Sequence, residues 1–476
     1  GYAFANVNAA PDINREKRLV GFTLFIDPGR RVYVRKVNVT GNDKSRDEVV
    51  RQDIRQIEGA WYDADKIKLS RERLMRTDFF KQVDIQTPPA PGTNDQVDVN
   101  VNVEEKSTGS FQIGAGYSSY EKITLSGSIS QNNLFGSGKN ATLAVNTSKV
   151  NTLYNLSYTD PYYTVNGISI GYDGYYKTFN SATLDWLSTY KTMSGGGGIR
   201  FGYPLSETSR MNLGFTIDST NINLSGASTS TVTDQSGTTY TYPNVPYNIY
   251  NFTQKYGSTN TSLISSAGWR LNSFDSNIMP NKGNRFGIGA EVASPPGSIA
   301  YYKLSYQEQH FVPLTPKNSL IAMANINLGY GQGIGDKAYP FYKNFYAGGI
   351  GSVRGYKPGT VGPQATNAGG GTSYIGGNEV ATGNFEFQGP FPGLGDTMRW
   401  NVFYDVGYVG AVGSAAPGCY PGMSCNPTNN TIATSAGIGM SWTSPVGPLK
   451  FSLGYPIGAG PGAQKQPFQF TMGSAF

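Results

Sequence analysis

Three groups of residues have types and spacings that could do chemistry. His310 is the only histidine in 476 residues, and Tyr306 and Glu308 recur with it every second position in an extended segment, Ile299 to Pro313. Such a set could supply the base of a hydrolase. A base acts only within hydrogen-bond reach of the group it activates, however, and no nucleophile can be paired with His310 from sequence. A structural histidine is expected, and no catalytic residue is assigned. Cys419 and Cys425 are the only cysteines. A disulfide or two unpaired thiols both suit them, whereas zinc and iron–sulfur sites usually take three or four soft ligands. Neither metal nor cofactor is expected. The third group is Arg354, in the run Val353-Arg354-Gly355-Tyr356, with the acidic residues Glu386 and Asp405 downstream. An arginine folded onto both carboxylates would make charge-assisted bonds of about 1.5 to 3 kcal/mol each when shielded from water.

The elements that must position these residues belong to two compositionally different parts. Residues 1 to 110 carry 18 Lys+Arg and 17 Asp+Glu, whereas residues 111 to 476 carry 20 and 15, so charge density falls about threefold near Lys106 to Ser110. Glycine and aromatic residues rise across the same boundary. Disordered segments are poor in aromatic and β-branched residues, so the second part is expected to be ordered. Apolar runs such as Leu320 to Tyr330 are broken by Asn and Gly, while a spanning helix needs about 20 predominantly apolar residues; a helical membrane protein is excluded. The net charge of +6 comes with no basic run or basic helix, so nucleic acid is not an expected partner. The chain starts at Gly1 without a signal peptide although its remainder looks exported, and a processed or truncated chain is expected.

In the charged part, an extended Arg31 to Val39 segment precedes Gly41-Asn42. Ser45 and Glu48 then have the spacing of a capping box, with Val49, Val50, Ile54 and Ile57 at helical spacing and Gly59 to close the helix. A second helix is expected from Asp65, with Ile67, Leu74 and Met75 forming its apolar stripe. Phe80 to Thr87 then reads as a strand, and Val97, Val99, Val101 and Val103 alternate with Asp98, Asn100, Asn102 and Glu104 as another. The order β-α-α-β-β over residues 29–106 resembles a polypeptide-transport-associated (POTRA) domain. Residues 1–28 resemble the end of a preceding copy, with strands at Tyr2 to Val7 and Leu19 to Ile26. An exposed edge of such a sheet could bind extended peptides by strand addition.

From Phe111 onward, segments of about ten residues alternate in polarity and are separated by turn residues, the pattern of a transmembrane β-barrel. Met398, Trp400, Val402, Tyr404, Val406 and Tyr408 occupy one phase, and Arg399, Asn401, Asp405 and Gly407 the other. The polar phase carries Gly, Ser, Thr and Asn rather than Lys and Glu, which suits a lumen better than bulk water. Sixteen segments are counted over residues 107–476, and Tyr247 to Tyr256 is assigned to a loop because it alternates poorly and would make the count odd. Pro204–Thr208, Pro313–Pro316 and Ser444–Gly447 are short connections; Ser225–Thr259, Gly331–Gly376 and Gly410–Asn430 are long. Short turns belong to the periplasm and long loops to the exterior. The charged domain enters at the short-turn end, hence in the periplasm, and Cys419 and Cys425 fall in an exterior loop where a disulfide is compatible with the compartment.

With its POTRA-like domain, sixteen strands, Val-Arg-Gly-Tyr loop and terminal Phe476, the chain resembles the BamA family of outer-membrane protein assembly factors, over nearly its whole length. Arg354, Gly355 and Tyr356 match that family's loop motif, and Glu386 and Asp405 match the acidic partners of its arginine. The resemblance implies a bacterial outer-membrane protein that folds and inserts other β-barrels without hydrolysing nucleotide. Its expected partners are unfolded outer-membrane clients, periplasmic accessory lipoproteins and the lipid bilayer. The family has five POTRA domains, whereas one and a fraction are present here. Secretion translocators of the same superfamily share the loop motif and are the alternative reading; a passive porin is the other, against which residues 1 to 105 argue. Client capture would use a seam between Phe111 to Tyr117 and Phe468 to Phe476. Gly114 and Gly116 lie in the lumen phase on one side and Gly473 on the other, and glycine weakens packing and permits bending. A cysteine at Gly114 and one near Thr471 are expected to face each other across it.

Overall fold

A computed structural model describes the chain except residues 15–18, 277, 318, 394–396, 426–431, 446, 461 and 474–476, and the side chain of Asn14. It divides into two compact units. The first comprises Gly1–Ser110, Ser130–Ala141 and Thr159–Asn166; the second comprises Phe111–Ile129, Thr142–Tyr158 and Gly167–Phe476.

The first unit starts with a hairpin of β1 (Asn6–Asn14) and β2 (Leu19–Asp27). The leading strand is therefore shifted from the expected Tyr2 to Val7, because it pairs along the full length of β2. Next come β3 (Tyr33–Thr40), α1 (Asp47–Arg51), α2 (Ala64–Arg76), β4 (Phe80–Gln86) and β5 (Gln96–Glu105), with sheet order β3-β5-β4. Val97, Val99, Val101 and Val103 face a core shared with Val34, Val50, Leu74, Phe80 and Val83. The alternation of β5 thus buries one face, as the period of two requires.

Three local readings are corrected. Ser45 does not cap a helix: α1 has Arg46 at its N-cap without a side-chain bond, while the Ser45 backbone N–H donates to Glu105 at 2.6 Å and its hydroxyl accepts from Asn133 Nδ2 at 2.7 Å. The helix stops at Arg51, well short of Gly59, and leaves Ile57 exposed. Met75 is also exposed, so Leu74 with the half-buried Ile67 forms the buried stripe of α2.

The second unit is a closed antiparallel barrel of sixteen strands. In chain order the strands are β6 (Gly109–Ser118), β7 (Lys122–Gln131), β8 (Asn140–Ser148), β9 (Asn151–Asp160), β10 (Ser169–Asn180), β11 (Lys191–Pro204) and β12 (Ser209–Asn223). A loop hairpin, β13 (Thr229–Thr233) and β14 (Thr239–Pro243), and a helix, α3 (Tyr247–Tyr256), intervene. The wall resumes with β15 (Thr259–Asn272), β16 (Gly283–Ser294), β17 (Tyr301–Pro313) and β18 (Ile321–Gly333). The long loop adds the short β19 (Gly355–Tyr356), β20 (Gln364–Thr366) and β21 (Thr372–Tyr374). Then come β22 (Glu379–Pro390), β23 (Met398–Gly410), β24 (Ala433–Ser444), β25 (Gly447–Gly458), the loop strand β26 (Lys465–Gln466) and β27 (Phe468–Met472).

Tyr247 to Tyr256 stands outside the wall, as the even strand count requires, yet it is a helix rather than an irregular loop. Pro246 leads into it, and Ile249 and Phe252, three positions apart, are its buried residues. Along β22 and β23, Thr382, Asn384, Asp405 and Phe403 are buried on the lumen side, while Phe385, Phe387, Val402 and Tyr404 are exposed on the lipid side. The β22–β23 register places Asn384 opposite Asp405 and Glu386 opposite Phe403, which brings the two acidic residues together diagonally on one inner face.

Candidate functional site

Arg354 lies in the lumen, 5% exposed, on the inner face of β22 and β23. Its Nε and Nη2 donate to both oxygens of Asp405 at 2.7 and 2.6 Å, its backbone N–H donates to Asp405 Oδ2 at 3.0 Å, and Nη1 lies 2.6 Å from Glu386 Oε1. The planar guanidinium suits this two-pronged hold. Its face rests over the Phe403 ring, 3.5 Å from the centroid. The free sides of the carboxylates are taken by amides: Asn384 Nδ2 donates to Asp405 Oδ1 at 2.9 Å, and Asn401 Nδ2 to Glu386 Oε2 at 2.8 Å. Removing two carboxylates and a guanidinium from water is costly unless such partners are complete.

Gly355 and Tyr356 follow at once. Gly355 has φ of +86°, and a Cβ there would stand 3.0 Å from the Gly454 carbonyl oxygen. Glycine is needed both for the left-handed backbone and for this close approach to β25. Tyr356 is 1% exposed, and its hydroxyl donates to the carbonyls of Gly458 at 2.8 Å and Thr434 at 3.1 Å. The backbone of β19 pairs with β26, Gly355 opposite Gln466 and Tyr356 opposite Lys465. The loop thus reaches the segment that leads into the last strand.

Sequence reasoning missed a second hold on this loop. Lys343 Nζ is 2.9 Å from Glu291 Oε1 on β16, and the Tyr301 hydroxyl of β17 donates to the same carboxylate. Lys303 donates to the Lys343 carbonyl at 3.2 Å and stands over the Phe345 ring at 4.2 Å. Also missed was Arg399, which reaches the turn between β15 and β16 and donates to the carbonyls of Pro280 at 2.7 Å and Met279 at 3.0 Å. The signal available in sequence was a charged residue in a lumen phase otherwise built of Gly, Ser, Thr and Asn.

Of the seam residues, Phe111 is exposed on the lipid side, while Gly116 and Gly473 are buried on the lumen side and Gly114 is half-buried. Phe476 lies outside the described residues. Among the described residues the seam ladder consists of two pairs, Thr471 with Ser118 and Met472 with Tyr117. By contrast, β12 and β15 pair continuously from Ser209–Leu271 to Asn221–Thr259. Gly114 does not face Thr471: a period-two pattern fixes the faces of a strand but not its register against a particular partner, and the register selects Ser118.

Cys419 and Cys425 form a disulfide with Cα atoms 5.8 Å apart. Between them, Tyr420 packs among Tyr242, Tyr247 and Tyr250 and donates to the Val245 carbonyl at 2.9 Å. His310 pairs with Glu308 at 2.7 Å, and Glu308 also accepts from Tyr306. The β17 register sets Glu308 beside Phe286 and Ile326, on the outward phase, so His310 is committed to a carboxylate on the lipid side rather than to a site in the lumen.

A POTRA-type α/β domain ahead of a sixteen-stranded barrel, with an exterior loop tied into the lumen by a buried arginine, defines a class of outer-membrane protein whose amino-terminal domain is periplasmic. The chain belongs to the Omp85 superfamily: residues 133–476 match the Omp85 superfamily domain, and residues 32–106 match the POTRA family, described as a surface antigen variable number repeat. It is 36% identical to the outer membrane protein assembly factor BamA of Neisseria meningitidis serogroup B over 502 residues, covering 100% of this chain and 60% of that protein. It therefore spans about three-fifths of that relative's length. Among solved structures, BamA of Haemophilus ducreyi lacking POTRA domains 1–3 aligns with a TM-score of 0.77 at 28% identity, covering 100% of this chain and 90% of the other. CdiB from Escherichia coli aligns at 0.57 and 13% identity over 99% and 81%, a likeness of fold alone.

Proposed function

We propose that this protein assembles and inserts β-barrel proteins into the bacterial outer membrane, capturing client strands at the edges exposed when its own seam parts. The observation that carries this reading is that the seam comprises, among the described residues, two pairs, Thr471–Ser118 and Met472–Tyr117, in a barrel whose described ladders elsewhere, as between β12 and β15 or β25 and β27, are longer. An unpaired strand edge in lipid leaves N–H and C=O groups that cost several kcal/mol each. A barrel edge that opens offers those groups partners, so the client is never an open sheet in hydrocarbon. No catalytic residue is required, because the free energy comes from the client's own ladder and buried surface.

The partners are unfolded outer-membrane clients, with periplasmic accessory lipoproteins delivering them to the POTRA domain and the bilayer receiving them. A passive pore is disfavoured by the loop 331–376, which occupies the lumen and is tied to opposite parts of its wall. The test is reconstitution of the purified chain in liposomes with urea-denatured barrel clients. Faster client folding with little steady ion conductance is expected. Large stable conductance with no effect on client folding would overturn the proposal in favour of a porin.

A further inference from the structure

The last strand is held from inside the barrel by the loop as well as by its neighbours in the wall. Among the described residues β27 runs from Phe468 to Met472, pairs with β25 over Leu449 to Leu453, and meets β6 through two pairs. On its lumen face Gln469 is 1% exposed, and its Nε2 donates to the Tyr356 carbonyl at 2.6 Å, a bond between positions 113 apart in the chain. Just before the strand, the Gln464 carbonyl accepts from the Lys357 N–H at 2.8 Å, and its N–H donates to Thr360 Oγ1 at 3.3 Å.

The other attachments of the loop lie elsewhere on the wall. Arg354 is bound to β22 and β23. Lys343 is bound to Glu291 on β16, which stands opposite the seam in the strand order. The loop therefore runs as a strut across the lumen, from the far wall to the closing strand.

The Gln469 amide is an expensive way to fill space. Its Oε1 is buried without a partner among the described residues, as are the hydroxyls of Ser452, opposite it on β25, and of Thr471, two positions on. A buried amide with one half unmatched contributes through its bonded half, and an apolar residue of the same length would leave the Tyr356 carbonyl without this donor. What it supplies is a directional tie to one carbonyl of the loop.

We infer that Gln469 is a positioning residue of the seam: through its carboxamide the loop holds the closing strand against the lumen wall, and release of that bond is part of opening. The inference rests on the reading of the seam as the opening edge, but its test needs no client. A single cysteine at Thr471, with Cys419 and Cys425 replaced by serine, is introduced into the full chain in liposomes, and its labelling by a water-soluble maleimide is timed. Gln469→Met, which keeps length and loses the donor, is expected to raise the labelling rate about three- to tenfold, the worth of one hydrogen bond. Arg354→Ala should raise it as well, and adding Gln469→Met to Arg354→Ala should then change it less than twofold, because a loosened strut no longer transmits the tie. If Gln469→Met does not insert, Gln469→Glu, of equal length and with a carboxylate that cannot donate, takes its place. An unchanged rate, or a full additional increase in the Arg354→Ala background, would overturn the inference. Client folding measured alongside separates the two readings: normal client folding with unchanged labelling removes the strut alone, and altered labelling in a chain that folds no client removes only the assembly function.

Discussion

Replacing Arg354 by alanine should release the loop 331–376 while leaving the barrel inserted. Asp405 is fully buried and the Glu386 side chain is 10% exposed, so the variant leaves two carboxylates facing each other without the guanidinium, with the amides of Asn384 and Asn401 and the backbone N–H of residue 354 as remaining donors. Breaking a buried ion pair by removing one partner costs about 3 to 5 kcal/mol. The loop cannot lose more than its whole docking energy, and Lys343 with Glu291 still holds its near end. Taking about 3 kcal/mol as the part felt by the segment around Gly355, the undocked fraction rises about a hundredfold, at 1.4 kcal/mol per decade. Limited proteolysis within Gly331–Gly376 should accelerate by that order when opening precedes cleavage, with heat-modifiable gel mobility reporting an intact barrel. Arg354→Lys should fall between the two, since an ammonium keeps the charge but cannot span both Asp405 oxygens and Glu386. Parent-like proteolysis in the alanine variant would refute the anchoring, because no buried guanidinium with these contacts can be removed without cost.

A cysteine pair at Ser118 and Thr471, with Cys419 and Cys425 replaced by serine, should block client assembly when oxidised and restore it when reduced. These residues face each other across the seam, and directly opposed antiparallel residues stand about 4.5 to 5.5 Å apart at Cα, within disulfide range; full assembly by the verified cross-linked protein would sink seam opening. In the periplasmic domain, hydrogen bonding from Arg35 at 2.8 and 2.6 Å, opposed by desolvation, holds the Asp98 carboxyl below its usual range. Its folded value lies below its unfolded one, so its contribution is present above about pH 4 and is lost as pH falls further. Hydrogen exchange of β3, β4 and β5 between pH 6 and 3 should show this loss in the parent and a flatter profile in Asp98→Asn, and parallel profiles would exclude the pair as its cause.

The architecture was legible because each wall strand carries its own evidence. One face meets lipid and the other a lumen, and a period of two records this in any ten-residue window. Glu386 and Asp405 were legible for the same reason, as charges in a phase that elsewhere holds small neutral residues, and Arg354 as the loop arginine that could fold onto both. Phe403 was not, although an aromatic residue in the polar phase of β23 was there to be noticed; its purpose appears only when the guanidinium lies on it. Asn384, Asn401, Lys343 and Gln469 are ordinary polar residues until the loop folds back across the lumen. Ser45 misled because its spacing to Glu48 is local, whereas Glu105 and Asn133, which claim it, are distant in the chain. The seam register failed similarly: alternation tells which side Gly114 faces, but not which residue of β27 stands beside it.

On the proposed reading, a barrel that must part at one place and nowhere else faces a conflict between stability and opening, and the distribution of its contacts resolves it. A seam ladder that counts two pairs among the described residues lowers the cost of separation, but a short ladder alone would let β27 fray continuously, exposing an edge that pairs indiscriminately. Holding the strand from the lumen side separates the two demands. The ladder sets how easily the edge is uncovered, and the loop, fixed at Arg354 and Lys343, sets how far the strand departs and where it returns. On that account the buried charges of the lumen contribute less to the stability of the wall, which its long ladders already secure, than to the fixed geometry of the strut. Weakening the strut should therefore make opening more frequent and less orderly, with faster Thr471 labelling and poorer client assembly in the same variant, whereas weakening the wall elsewhere should reduce both folding yield and assembly together.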